Sequence, residues 1–185
     1  SSPDEQRLTS VEAYDGTKWT PVPPLPHAAE SASACVLNGR LYVIGGRGSQ
    51  KLQVLAITKK GLSWSCKAEL PVNRSGAATV VHRGKIWVMG GYENGRSTAS
   101  VITYDAKADA WESSPRLPVA CRDCHAATGD GGIVLFGSTE APRHGEGQLS
   151  VFVCRNAAWS AAGHLPVAGP GSHFQYAACG GVFLG

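Results

Sequence analysis

The chain has 185 residues, 43% of them hydrophobic and 17% charged, with 23 glycines and 11 prolines. The hydrophobic share suffices for a packed core and argues against disorder, while so much Gly and Pro asks for many tight turns and excludes a helix bundle. A formal net charge of +3 excludes a dedicated nucleic-acid binder with a strongly basic face, and no apolar run is long enough for a transmembrane helix.

The first ten residues, SSPDEQRLTS, are polar and contain neither Met nor a signal-peptide core. The chain therefore reads as processed or as a piece of something longer. Short strands are predicted at 11–14 and around Trp19. A small, mixed strand follows at 31–37, and Asn38-Gly39 supplies a hairpin turn. LYVI before Gly45-Gly46 is a short apolar run bounded by Gly, the pattern of a strand buried on both faces. Further strands are expected at 54–57 and around Trp64. The same order recurs with a strand at 76–82, the turn Arg83-Gly84, IWVM before Gly90-Gly91, a strand at 101–104 and Trp111. It recurs again with 123–129, Asp130-Gly131-Gly132, IVLF before Gly137, 149–153 and Trp159. The chain closes on 172–178 and VFL before Gly185.

These elements form a repeat. Trp19, Trp64, Trp111 and Trp159 are each followed by Leu-Pro, at Leu25-Pro26, Leu70-Pro71, Leu117-Pro118 and Leu165-Pro166. The Gly that ends the apolar run stands at one fixed distance beyond each Pro, at Gly45, Gly90, Gly137 and Gly185, so that W-x5-L-P-x18-G occurs four times without a gap. All length variation lies between that Gly and the next Trp. A four-stranded antiparallel unit of this size cannot bury both its faces alone, and radial stacking into a β-propeller solves that problem.

The units resemble the kelch repeat, whose signature is a hydrophobic strand ending in Gly-Gly, then a Tyr, then a Trp. The best match is IWVMGG at 86–91 with Tyr104-Asp105 and Trp111; the first half unit supplies Tyr14-Asp15 and Trp19. The unit with Gly45-Gly46 and Trp64 lacks the Tyr-Asp step, and the unit with Gly137 has Phe152 in place of Tyr. The expected fold is all-β. It is a kelch-type propeller over 1–185 with complete blades at about 31–66, 76–113 and 122–161 and half blades at 11–22 and 172–185. Either this is a segment of a larger propeller, or the halves combine into a closed four-bladed ring.

The cysteines, Cys35, Cys66, Cys121, Cys124, Cys154 and Cys179, read mostly as small core residues in a reducing compartment. Cys121-Arg122-Asp123-Cys124-His125 matches the pattern of c-type haem attachment, and its two thiols also invite a zinc or a redox reading. In an extended strand, however, residues three apart point to opposite faces, so the two thiols are not expected to converge. No second CxxC exists to complete a zinc site. No phosphate loop, G-x-S-x-G or H-E-x-x-H is present. No metal, cofactor or catalytic residue is expected.

Strands in a blade alternate in direction, so the loops after the fourth and second strands emerge at one end. That end holds Arg47, Arg74, Tyr92, Arg96, Arg122, Arg143 and His144, diluted by Glu30, Glu93, Asp123, Glu140 and Glu146. The mildly basic balance suits an acidic peptide. The resemblance adds that kelch substrate adaptors often present a partner-binding arginine where Arg74 stands. It also makes the first strand of each blade the innermost, so His125 and His173, each seven residues after its repeat Pro, are expected to line the central channel. The expected function is a protein-interaction module, with substrate recognition for a ubiquitin ligase as the role the resemblance implies. The partner is a protein or peptide rather than nucleic acid or membrane, in the cytoplasm or nucleus. The alternative is a kelch-type enzyme acting on a small molecule at the channel, with His125 and His173 as the residues to test.

Overall fold

A computed structural model describes residues 8–129, 132–139 and 149–165. Their regular elements are all strands: β1 (Val11–Tyr14), β2 (Trp19–Val22), β3 (Ser33–Leu37), β4 (Arg40–Ile44), β5 (Leu52–Thr58), β6 (Gly61–Lys67), β7 (Arg74–Ser75), β8 (Ala78–His82), β9 (Lys85–Met89), β10 (Tyr92–Glu93), β11 (Arg96–Ser97), β12 (Val101–Asp105), β13 (Ala110–Ser114), β14 (Cys121–Gly129), β15 (Gly132–Thr139), β16 (Leu149–Arg155) and β17 (Ala158–Leu165).

Three four-stranded antiparallel sheets follow the repeat. They are ordered β3-β4-β5-β6, β8-β9-β12-β13 and β14-β15-β16-β17, and β1 and β2 form a two-stranded sheet before them. The hairpins that start the first two sheets turn at Asn38-Gly39 and Arg83-Gly84. Both residues of each turn have positive φ, 51° and 70° in one and 50° and 74° in the other, the type I′ pattern that matches strand twist. Register repeats as well. Ser33, Ala78 and His125 lie opposite Ile44, Met89 and Phe136, in each case the residue before the repeat Gly.

The apolar run of β9 is divided between two cores. Ile86 and Val88 join Leu37, Tyr42, Ile44, Leu52, Val54, Ile102 and Tyr104 between the first and second sheets. Met89 joins Ala78, Val101, Cys121, Cys124, Ile133, Leu135 and Phe152 between the second and third, with Trp87 packed against that cluster. Alternate side chains of a strand point to opposite faces, so a continuous apolar run serves two interfaces at once. The first strands of successive sheets are neighbours, β3 against β8 and β8 against β14. Ser33 Oγ and Thr79 Oγ1 share a 2.6 Å hydrogen bond across the first of these contacts.

The fourth strands are tied by tryptophan. Trp64 Nε1 donates to Pro23 O at 2.7 Å and Trp111 Nε1 donates to Ala68 O at 2.8 Å. Around Ala68 the tie is doubled. Its N–H donates to Asp109 Oδ1 at 2.9 Å, and the Tyr104 hydroxyl donates to the same oxygen at 2.6 Å. In the third sheet the register places Cys154, opposite Ile133 and Trp159, where Tyr104 stands opposite Ile86 and Trp111, so Cys154 rather than the expected Phe152 replaces the tyrosine. Ala157 stands two residues before Trp159 as Asp109 does before Trp111, and among the described residues Trp159 Nε1 is buried without a hydrogen-bond partner.

Two further findings differ from the sequence expectation. The loops at one end are not wholly irregular: β7, β10 and β11 pair into a small sheet of their own, ordered β11-β10-β7. The strand carrying CxxC is not evenly extended either. Its register shifts between Arg122 and His125, and Asp123 takes φ 49°. This bulge turns Cys121 and Cys124 to one side, with their sulfurs 3.0 Å apart. The expected half blade at 172–185 lies outside the described residues.

Candidate functional site at the loop end

The loop end is stitched by backbone hydrogen bonds between successive units. Gly46 N–H donates to Arg74 O at 2.7 Å, Arg47 N–H to Glu30 O at 2.8 Å, and Gly91 N–H to Cys121 O at 2.9 Å. Arg74 and Cys121 each stand three residues after their repeat Pro. Both carbonyls meet the Gly-Gly of the preceding sheet, and both side chains are buried, with 3% and 0% of the residue exposed. A close approach of this kind requires glycine. Gly90 takes φ +62°, and a Cβ there would sit 2.7 Å from Cys124 Sγ and 3.0 Å from the Cys121 carbonyl oxygen.

Arg74 therefore does not project toward solvent as a partner-binding arginine would. Its Nη1 donates to Gly90 O at 3.1 Å and Ser100 O at 3.2 Å; its Nη2 donates to Glu93 Oε2 at 3.0 Å and Ser100 Oγ at 3.1 Å. Burial pulls its pKa below the ordinary arginine value, and the Glu93 carboxylate opposes that shift. Glu93 also accepts from Thr98 Oγ1 at 3.1 Å. Arg74 is thus an internal strut that fixes the β10–β11 hairpin. Glu93, Thr98 and Ser100, which hold it, carry no motif by which the sequence would single them out. The column offered a hint in Cys121, a residue type usually found inside.

On the solvent side the structure brings two of the expected residues together, Tyr92 and Arg122, while the register puts Arg96 on the face of the small sheet that also carries Glu93. Tyr92 lies opposite Ser75 and Ser97, and Arg96 lies opposite Glu93, in the small sheet. The Arg122 guanidinium stands over the Tyr92 ring, 5.9 Å from its centroid, within cation–π range. Arg122 Nε is 3.7 Å from Asp123 Oδ2, a loose pair with both side chains partly exposed. Arg96 is exposed. Arg47 belongs to the neighbouring loop, pairs with Glu30 at 3.0 Å, and leaves 68% of its side chain exposed.

His125 is half-buried on β14, in line with Ser33 and Ala78 of the neighbouring first strands. Arg143, His144 and His173 lie outside the described residues, so a pairing of His125 with His173 is not described. Among the described residues, no group of three or more His, Cys, Asp or Glu side chains converges to hold a metal ion.

Residues 5–177 match the family described as the KLHDC2/KLHL20/DRC7 Kelch-repeats domain. The chain is similar to Kelch-like protein 35 of Mus musculus, 32% identical over 152 residues, which is 80% of this chain and 25% of that protein. It is 31% identical over 157 residues to Beta-scruin of Limulus polyphemus, covering 80% of this chain and 17% of that protein. The chain thus spans a quarter or less of these relatives. A solved structure titled "Structure of YjhT" superimposes with a TM-score of 0.65 at 17% identity, over 88% of this chain and 60% of the other. That likeness concerns the fold alone.

Proposed function

The chain belongs to the kelch-repeat family, and from that premise we propose that its loop end binds a protein or peptide partner bearing acidic side chains. The observation that carries this reading is the Arg122 guanidinium over Tyr92, with exposed Arg96 on the second strand of the hairpin that carries Tyr92. An aromatic with an arginine over its ring offers both an apolar anchor and charge-assisted, bidentate donors to carboxylates. The small sheet supports it from below. Arg74 is the buried strut of this platform rather than its contact residue, and Arg47 adds a third cation at the edge. The fold holds these side chains on short paired segments, which limits the entropy lost when a partner docks. In a longer protein with a ligase-recruiting domain, this surface would select substrates; that step follows from the family resemblance.

The test is fluorescence anisotropy with a panel of labelled Glu- and Asp-rich peptides. Binding is expected to weaken as salt rises, because exposed charge pairs are screened. Arg122→Glu or Arg96→Glu is expected to weaken it about tenfold, the effect of one interface arginine. Affinity indifferent to salt and to both reversals would overturn the reading.

A further inference from the structure

We propose that Cys121 and Cys124 form a reversible dithiol–disulfide pair built into the seam between the second and third sheets. Their sulfurs lie 3.0 Å apart. A disulfide bond is about 2.05 Å long, so the sulfurs need close by only about 1 Å to bond. The bulge at Asp123 creates this approach, since an evenly extended strand would send the two side chains to opposite faces.

The surroundings are shaped to the two sulfurs. They sit in a slot between Gly90 of the second sheet and Gly137 of the third. A Cβ on Gly90 would lie 2.7 Å from one sulfur and 2.8 Å from the other, and a Cβ on Gly137 would lie 2.9 Å from each. Both repeat glycines are thus used to make room for the pair. Cys154 belongs to the same core cluster, yet no comparable sulfur partner is described for it. Packing alone needs one small residue at each position and gives no reason for two thiols in contact.

The oxidant is hydrogen peroxide, small enough to enter during a brief local opening. Contact with Cys121 and burial hold the Cys124 thiol well above its ordinary range in the closed seam, so the thiolate forms when the seam opens. One cysteine sulfur, as thiolate, then attacks an oxygen; an S–O bond forms, the O–O bond breaks, and hydroxide leaves to take up a proton as water. The second sulfur then attacks the resulting sulfenic acid. An S–S bond forms, the S–O bond breaks, and a second water leaves. Two thiols are oxidised to one disulfide and one peroxide is reduced to two waters; a dithiol reductant reverses the change by exchange. The bond closes around Arg122 and Asp123 and fixes the turn that holds Arg122 over Tyr92.

Arg122 makes the test direct, because trypsin cuts between the two cysteines. The folded, reduced chain is treated with hydrogen peroxide, quenched in acid denaturant with N-ethylmaleimide, and digested without reductant. Peptides 117–122 and 123–143 are expected to emerge joined, and to separate after dithiothreitol. Cys121→Ser and Cys124→Ser should each abolish the joined species. Exposed Cys66 reports that the peroxide was active. Recovery of the two peptides separate and alkylated, while Cys66 is oxidised, would overturn the proposal. So would joining seen only when peroxide is added to the unfolded chain.

Discussion

Arg74 and Arg122 are both arginines of the loop end, and their environments predict opposite behaviour. Arg74→Ala removes the donors that satisfy Gly90 O, Ser100 and Glu93 Oε2 in a buried setting. Breaking such a set leaves unpaired polar groups. The expected loss is about 2–3 kcal/mol, below the full cost of a wholly buried pair because Glu93 reaches solvent. Arg122→Ala should stay within about 0.5 kcal/mol, as surface changes do. Urea unfolding of the two variants checks this, and equal losses would show that Arg74 is no strut. A second prediction concerns alkali. Burial pushes the Cys35 thiol from its ordinary 9.0 up to about 12. Burial also raises the hydroxyls of Tyr42 and Tyr104. Between about 9 and about 12 the folded chain keeps the Cys35 proton that the unfolded chain releases, so stability falls as pH rises through that window. Cys35→Ala should flatten that decline in a pH series of urea midpoints; an unchanged slope would contradict the assignment.

At the scale of elements, the inter-sheet ties differ from one interface to the next. Trp111 Nε1 donates to Ala68 O, and Asp109 accepts from the Ala68 N–H, whereas among the described residues Trp159 Nε1 is buried without a partner. Trp111→Phe should therefore cost about 1–2 kcal/mol, one hydrogen bond plus some lost volume. Trp159→Phe should cost less, because it deletes a donor that is already unsatisfied. The comparison is read from thermal or urea midpoints, and a larger loss at Trp159 would contradict the tie. Strand order and hairpin turns were legible in the chain because they are periodic: Asn38-Gly39 and Arg83-Gly84 announce their turns, and each apolar run announces a strand with two buried faces. The bulge at Asp123 was not legible. It depends on one left-handed residue whose conformation is held by the neighbouring sheet, through Cys124 N–H donating to Gly76 O at 3.0 Å. Opposite-face reasoning about Cys121 and Cys124 failed there because it presumed even pleating.

For the whole molecule, the repeat carries the architecture, and the departures from it mark the places of interest. Tyr14 and Trp19 stack at 5.1 Å much as Tyr104 and Trp111 do at 5.0 Å. Among the described residues, however, the first pair is exposed, 55% and 65%, while Tyr104 is buried. The second pair is covered by its neighbours in a complete sheet and by the sheet before it. The location of the loop end could be read from strand alternation alone, but the direction of each side chain there could not. Arg74 turns inward because its carbonyl must meet Gly46, and Arg122 turns outward one residue beyond the equivalent position. The central claim is that recognition occurs on this outward set. Hydrogen exchange of the chain with and without a bound acidic peptide tests it most directly. The account predicts new protection at Tyr92–Ser97 and around Arg122, with the hairpin turns at Asn38-Gly39 and Arg83-Gly84 unchanged. Protection at those turns, at the opposite end, or along β14 around His125 instead would contradict it.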